Sequence, residues 1–293
     1  TPLSAECENP HNPSLELDFR RFSSDTFIRF AREQAAIVRS CSDLPITSNM
    51  MGLYDQVDYY KLAKELDFIC WDNYPPVDTS RFGMYLTDLA HDAMCSVGNG
   101  SFWVMEQKSG PTGWNTVSKT PRPGQLGYWA EQAAAHGAEG IIYFNWRPPL
   151  SGTEMNWHGV LDHDGKAGGR RQAELTETSR RLQAVSPALE GSRILREAAI
   201  IRNYDNIWSS QLQPQNSGLC HLTLTYRYYT AFRRRDIHPA VVDLDGDLPE
   251  YPLALLPAQY LLEERHAEAL ENYVKGGGAL LVTFLSGIKS WDN

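Results

Sequence analysis

Phe102-Trp-Val-Met-Glu-Gln-Lys-Ser-Gly-Pro-Thr-Gly-Trp114 joins a short apolar run to a carboxylate and then to a Gly/Pro turn carrying a tryptophan. A parallel strand covered on both faces is written as a short, unbroken apolar run, and the loop after it opens on the face where α/β sheets place their chemistry. The pattern predicts a buried strand that delivers Glu106 into a pocket. A merely solvated acid at a strand end looks the same from one segment alone. The neighbouring segments have to decide.

Three of them repeat the pattern. Pro45-Ile-Thr-Ser-Asn-Met-Met-Gly52 is a compact strand carrying Asn49, and Leu66-Asp-Phe-Ile-Cys-Trp-Asp-Asn-Tyr-Pro75 breaks into Asp72 and Asn73 before a Pro-Pro turn. Gly140-Ile-Ile-Tyr-Phe-Asn-Trp-Arg147 ends on Asn145 and Arg147. Between them lie helical stretches: Phe27 to Arg39 behind a Ser23-Ser24-Asp25 cap, Val57 to Leu66, Arg81 to Ser96, and Pro123-Gly124 onward to His136. Residues 1 to 18, with Asn9-Pro10 and Asn12-Pro13 as turn signals, read as an irregular entry segment.

Strands alternating with helices are successive βα units. Four such units make the C-terminal half of a (β/α)8 TIM barrel, and the other strands are then expected upstream of Thr1. A free-standing doubly wound sheet is the alternative on pattern alone. A helix from Arg171 to Val185 closes this part, and Ser186-Pro187 with Gly191-Ser192 marks a linker.

The remainder has a different α/β rhythm: Ala198 to Arg202, a helix over Leu222 to Arg235, Pro239 to Asp243, Leu253 to Pro257, a helix over Glu263 to Val274, then Gly276-Gly-Gly-Ala-Leu-Leu-Val-Thr283. This reads as a flavodoxin-like sheet, cut at its C-terminus. The domains are therefore placed at 1–190 and 191–293. Gly276-Gly277-Gly278 runs from helix to strand, whereas phosphate loops run from strand to helix, so it reads as a helix C-cap. Arg233-Arg234-Arg235 reads as a solvated helix end.

Composition narrows the class of partner. A formal net charge of −9 argues against a nucleic-acid groove or an anionic membrane surface. Eight Trp and fourteen Tyr supply flat faces for stacking on a neutral ligand. Five cysteines, Cys7, Cys41, Cys70, Cys95 and Cys220, are odd in number and contain no CxxC pair. They read as free thiols in a reducing, cytoplasmic setting without a zinc site. No apolar run reaches the length of a membrane span, and no signal peptide pattern opens the chain.

A carboxylate among neutral amides and aromatic rings, beneath a long loop from Gly152 to Gly165, describes a carbohydrate pocket. Sugars take hydrogen bonds from Asp, Glu, Asn and His and lay their C–H faces on aromatic rings. Six blocks in order resemble the β-galactosidases of glycoside hydrolase family 42: Asn12 to Asp25, Pro45 to Gly52, Leu66 to Pro75, Trp103-Val-Met-Glu-Gln107, Ala135-His-Gly-Ala-Glu-Gly140 and Trp157 to Gly165. The resemblance covers essentially the whole chain.

It implies a retaining mechanism on terminal β-D-galactosyl groups with Glu106 as nucleophile. It also implies a flavodoxin-like domain that takes part in a homotrimer, and no cofactor for the reaction. By the same resemblance Trp114 stacks on the sugar and Glu154 binds its hydroxyls, with His158 beside it, although members differ over whether that histidine stands three or four residues after the glutamate and position three here is Trp157. Asn49 and Asn73 join the substrate site as polar strand ends. The family's acid/base glutamate belongs to an Asn-Glu pair on an earlier barrel strand, expected before Thr1, as is the cysteine cluster that binds zinc in some members. The chain alone is therefore expected to be inactive. The alternatives are a non-catalytic carbohydrate-binding or assembly fragment, and a related β-glycosidase for another sugar.

Overall fold

The computed structural model describes residues 11–77 and 80–293, so Cys7 and the Asn9-Pro10 signal lie outside the described residues. In chain order the elements are α1 (Pro13–Arg39), β1 (Asn49–Met50), α2 (Tyr59–Leu62), β2 (Cys70–Asn73), α3 (Arg81–Val97), β3 (Phe102–Lys108), α4 (Gln125–Ala135) and β4 (Ala138–Phe144). Then come α5 (Arg170–Leu189), β5 (Ala198–Ile201), α6 (Tyr204–Leu212), α7 (His221–Arg233), β6 (Pro239–Val242), β7 (Leu253–Leu256), α8 (Glu264–Lys275) and β8 (Ala279–Val282).

The chain forms two compact units. One holds residues 47–52 and 68–194; the other holds the segment up to residue 46, residues 53–67 and residues 195–293. The boundary drawn at residue 190 is crossed by α1 and by the 53–67 segment, which pack with the later residues. Arg21 of α1 bonds to Asp205 of α6, and Trp208 Nε1 donates to the Asp55 carbonyl. Contacts distant in sequence, invisible to a linear reading, make this grouping.

The first unit carries Glu106. Its four strands are all parallel in the order β1-β2-β3-β4, the arrangement that consecutive βα units produce. Phe102 and Val104 are fully covered, and α3 turns Leu89, Ala90, Ala93, Met94 and Val97 inward at helical spacing. Ser80 caps α3 by accepting from the Gly83 amide at 3.3 Å. Helix α4 starts at Gly124, which has no side chain to cap with. Glu174 of α5 does it instead, accepting from the Leu126 and Gly127 amides at 2.9 and 3.3 Å. Val77, Leu126, Trp129, Val160 and Leu175 close a core around that junction, each contributing about 1.5–3 kcal/mol by burial.

The second unit has the parallel order β6-β5-β7-β8, with β5 fully buried at its centre. Ile201, Val242, Leu256 and Tyr273 belong to its core. Helix α8 ends at Lys275, Gly277 takes a left-handed φ of 99°, and β8 follows, so the glycine run is the helix terminator that its order predicts.

Several local expectations differ. Helix α1 begins at Pro13 rather than at Phe27: Asn12 accepts from the Ser14 amide and Pro13 stands at the first helical position, so the Asn-Pro turn signal is a helix start. The 45–52 strand forms ladder pairs only at Asn49 and Met50. The Val57 to Leu66 helix is one α-turn followed by a 3-10 turn over Ala63–Glu65. Helix α6 was not foreseen. Asn203 starts it by accepting from the Asn206 amide.

Candidate active site

The ends of β1, β2 and β3 meet at Glu106. Asp72 stands in register with Glu106 across β2 and β3. Asn49 Nδ2 donates to Glu106 Oε1 at 3.2 Å and to Asp72 Oδ1 at 3.0 Å. Tyr74, just past β2, donates its hydroxyl to Glu106 Oε2 at 2.6 Å. Both oxygens of the carboxylate are therefore held, by one amide and one phenol. A rotamer fixed in this way is what an attacking group needs.

The electrostatics are those of an acidic pocket. Burial first, and then the charge of Glu106, push the Asp72 carboxyl up to about 6, against the opposing bond from Asn49. Burial, the bond to Glu106 and the charges of Glu106, Asp72 and Glu154 all raise the Tyr74 phenol, so it stays protonated and remains a donor. Three carboxylates thus share one neighbourhood around Tyr74.

Aromatic rings form the other wall. Trp157 meets Tyr74 edge-on at 5.2 Å and Phe144 edge-on at 5.4 Å, and lies tilted to Trp114 at 6.0 Å. Trp114 is 64% exposed and donates its indole N–H to Glu154 Oε1 at 3.3 Å. The long loop and the loop after β3 are thereby tied together.

Of the residues expected in the site, the structure brings together Glu106, Asn49, Trp114 and Glu154. Asn73 is placed elsewhere: it is 2% exposed, and its amide donates to Gln107 Oε1 at 2.9 Å. The irregular register between Trp71 and Asp72 brings Asp72 to Glu106, and alternation along the strand then turns Asn73 to the other side. His158 packs edge-on against His163 at 4.6 Å and is lowered by burial and by the nearby His163 and Arg171 charges. Its neighbour Trp157 is the residue against Tyr74 and Trp114. Tyr74 was missed by sequence reasoning, although its position two residues after Asp72 at a strand end was a signal.

Among the described residues no group of three or more His, Cys, Asp or Glu is arranged to hold a metal ion, and Cys41, Cys70, Cys95 and Cys220 form no disulfide. No helix among the described residues is long and apolar enough to cross a membrane. Chemically, a fixed carboxylate beside a phenol, an amide and two neighbouring indoles suits a polyhydroxylated neutral substrate that develops positive charge during reaction.

Such a site on parallel α/β architecture belongs to the glycoside hydrolases in kind. A family described as Beta-galactosidase matches residues 2–185, and one described as Beta-galactosidase trimerisation domain matches residues 196–293. The chain belongs to glycoside hydrolase family 42. It is 32% identical over 277 residues to the β-galactosidase BgaP of Planococcus sp. (strain L4), covering 94% of this chain and 40% of that protein. Against a Thermus thermophilus β-galactosidase the identity is 33%, over 98% of this chain and 46% of that one. The crystal structure of the cold-adapted β-galactosidase from Rahnella sp. R3 superposes with a TM-score of 0.92 at 32% identity, covering 97% of this chain and 43% of that one. The chain thus spans less than half the length of these relatives.

Proposed function

We propose that this chain carries the nucleophile of a retaining β-galactosidase, and that Glu106 is that nucleophile. The observation that carries the reading is the double hold on Glu106 by Asn49 and Tyr74 at the meeting point of three strand ends. In double displacement the glutamate attacks the anomeric carbon while an acid protonates the departing oxygen. Water, activated by the same second group, then releases the sugar. Trp114 and Trp157 supply the stacking faces and Glu154 a hydroxyl-binding carboxylate. Tyr74 keeps Glu106 aimed.

The 293 residues contain no Asn-Glu pair, and we assign the acid/base role to no residue of this chain. The sheet order β1-β2-β3-β4 supports reading the first unit as part of a barrel, and β6-β5-β7-β8 is the 2-1-3-4 order of flavodoxin-like sheets. The trimerisation-domain match supports a homotrimer. No cofactor enters either displacement, and no described residue is assigned to zinc.

In the full-length protein, Glu106→Gln should lower kcat on a β-galactoside by at least about 1000-fold while galactose still binds. Turnover close to wild type would end the assignment. The 293-residue chain by itself should show no measurable hydrolysis. Clear activity there would mean that another of its carboxylates serves as the acid.

A further inference from the structure

Lys108 ends β3, two residues beyond Glu106, and is only 4% exposed. A buried ammonium ordinarily has a carboxylate or several oxygens around its three donors. Here Ser118 Oγ, at 3.4 Å, is its one hydrogen-bond partner among the described residues. Burial holds the group below the ordinary lysine range, and no charged neighbour opposes that effect. Neither displacement at Glu106 uses this cation.

Its partner closes a ring of backbone that carries Trp114. The Ser118 amide donates to the Thr112 carbonyl at 2.8 Å, and the Ser118 hydroxyl accepts from the Thr112 amide at 2.9 Å. Gly113, at a φ of 149°, makes the turn inside this ring, where an added Cβ would lie 1.9 Å from the Thr116 carbonyl oxygen. The tip from Trp114 to Val117 is exposed. The entry to the loop is fixed separately: Ser109 Oγ donates to the Phe144 carbonyl at 2.7 Å, and the His158 amide donates to the Pro111 carbonyl at 2.9 Å. Among the described residues, the ring itself is hydrogen-bonded to its surroundings at two points, from Lys108 to Ser118 and from Trp114 to Glu154.

We propose that Lys108 is a positioning residue for Trp114: by donating to Ser118 Oγ, its ammonium fixes the Thr112 to Ser118 ring on the end of β3 and holds the indole where the sugar's C–H face meets it. This role rests on the reading of Trp114 as a stacking face and supplies the group that aims it. Stacking acts on the bound substrate and the transition state alike, so loss of the tie should appear in KM rather than in kcat. The fold should not suffer, because an apolar side chain of similar length in place of a poorly partnered buried charge is neutral or stabilising. Ser118 keeps its bond to the Thr112 amide in that case.

The test is steady-state kinetics on a β-galactoside, with thermal unfolding, of the full-length protein carrying Lys108→Met, Ser118→Ala, the two combined, or Trp114→Ala. Lys108→Met should raise KM about tenfold, with kcat within about twofold of wild type and a melting temperature no lower. Ser118→Ala should raise KM as well, and the combined variant should be no worse than the more affected single one, because both changes remove the same tie. Wild-type KM in Lys108→Met while Trp114→Ala raises it would overturn this role alone. Wild-type KM in Trp114→Ala would overturn the stacking reading along with it. A joint fall of kcat and melting temperature in Lys108→Met, or KM effects of the two substitutions that multiply, would also overturn the role, leaving Lys108 as a structural or independent group.

Discussion

Both oxygens of Glu106 are engaged within the protein itself, and the donors differ in kind. The Tyr74 bond is a short, charge-assisted one at 2.6 Å, whereas Asn49 divides its amide between two carboxylates. Tyr74→Phe should therefore lower kcat by about 10–100-fold, because charged hydrogen bonds contribute about 1.5–3 kcal/mol, with little change in KM. Steady-state kinetics decide this, and an unchanged kcat would remove Tyr74 from the machinery. Asp72 makes a pH argument. Its carboxyl lies higher in the folded protein, at about 6, than in the unfolded chain, so its ionisation costs stability as pH rises through that window and costs nothing below it. Asp72→Asn should raise the melting temperature at pH 7 by roughly 2 °C, discounted for partial exposure, and the difference should vanish by about pH 4. At this scale the sequence showed Glu106 plainly, because an acid ending an apolar run is a local pattern. Asp72 was seen but Asn73 was chosen for the site, since the register irregularity that turns one toward Glu106 is a property of paired strands.

Helices α3 and α4 are joined by a buried knot. His136 Nδ1 meets Asp92 at 2.7 Å and His136 Nε2 meets Asp88 at 3.0 Å, while His91 stacks on His136 at 5.7 Å with neither ring nitrogen bonded among the described residues. Burial pulls His136 down, but Asp92 and Asp88 overcome it and raise the group to about 9. Its stabilising charge is present below the ordinary value of 6.5 and is lost as pH rises through 9. His91 goes the other way, lowered to about 3 by burial and then by the His136 charge, so its cost grows as pH falls below 6.5. Thermal denaturation across pH should show the pair's contribution greatest near 6.5, with His136→Gln flattening the alkaline limb. An unchanged alkaline limb would contradict the ion pairing. The tertiary cap on α4 makes a second element-scale prediction. Glu174, held by Arg170 at 2.9 Å, replaces the side chain Gly124 lacks, so Glu174→Ala should cost about 1–2 kcal/mol in denaturant unfolding. A smaller loss than about 0.3 kcal/mol would mean solvent caps the helix as well. The alternation of helix and strand was legible because each period is written locally. The start of α1 and the existence of α6 were not, because Asn12-Pro13 and Asn203 mark both turns and helix beginnings.

Over the whole chain, the parallel strand order and the net charge of −9 were foreseeable, and both agree with a neutral substrate at strand ends. The division of the chain segments between the two units was not, since it depends on pairs within a unit, such as Arg21 with Asp205, that lie far apart in sequence. The proposed function rests on Glu106 forming a covalent bond to the sugar. The most direct measurement is incubation of the full-length protein with an activated 2-deoxy-2-fluoro-β-galactoside, followed by proteolysis and mass spectrometry. The expected result is stoichiometric labelling of the peptide spanning Phe102–Lys108, at Glu106. A label on any other residue, or none while the reagent is turned over, would contradict Glu106 as the nucleophile.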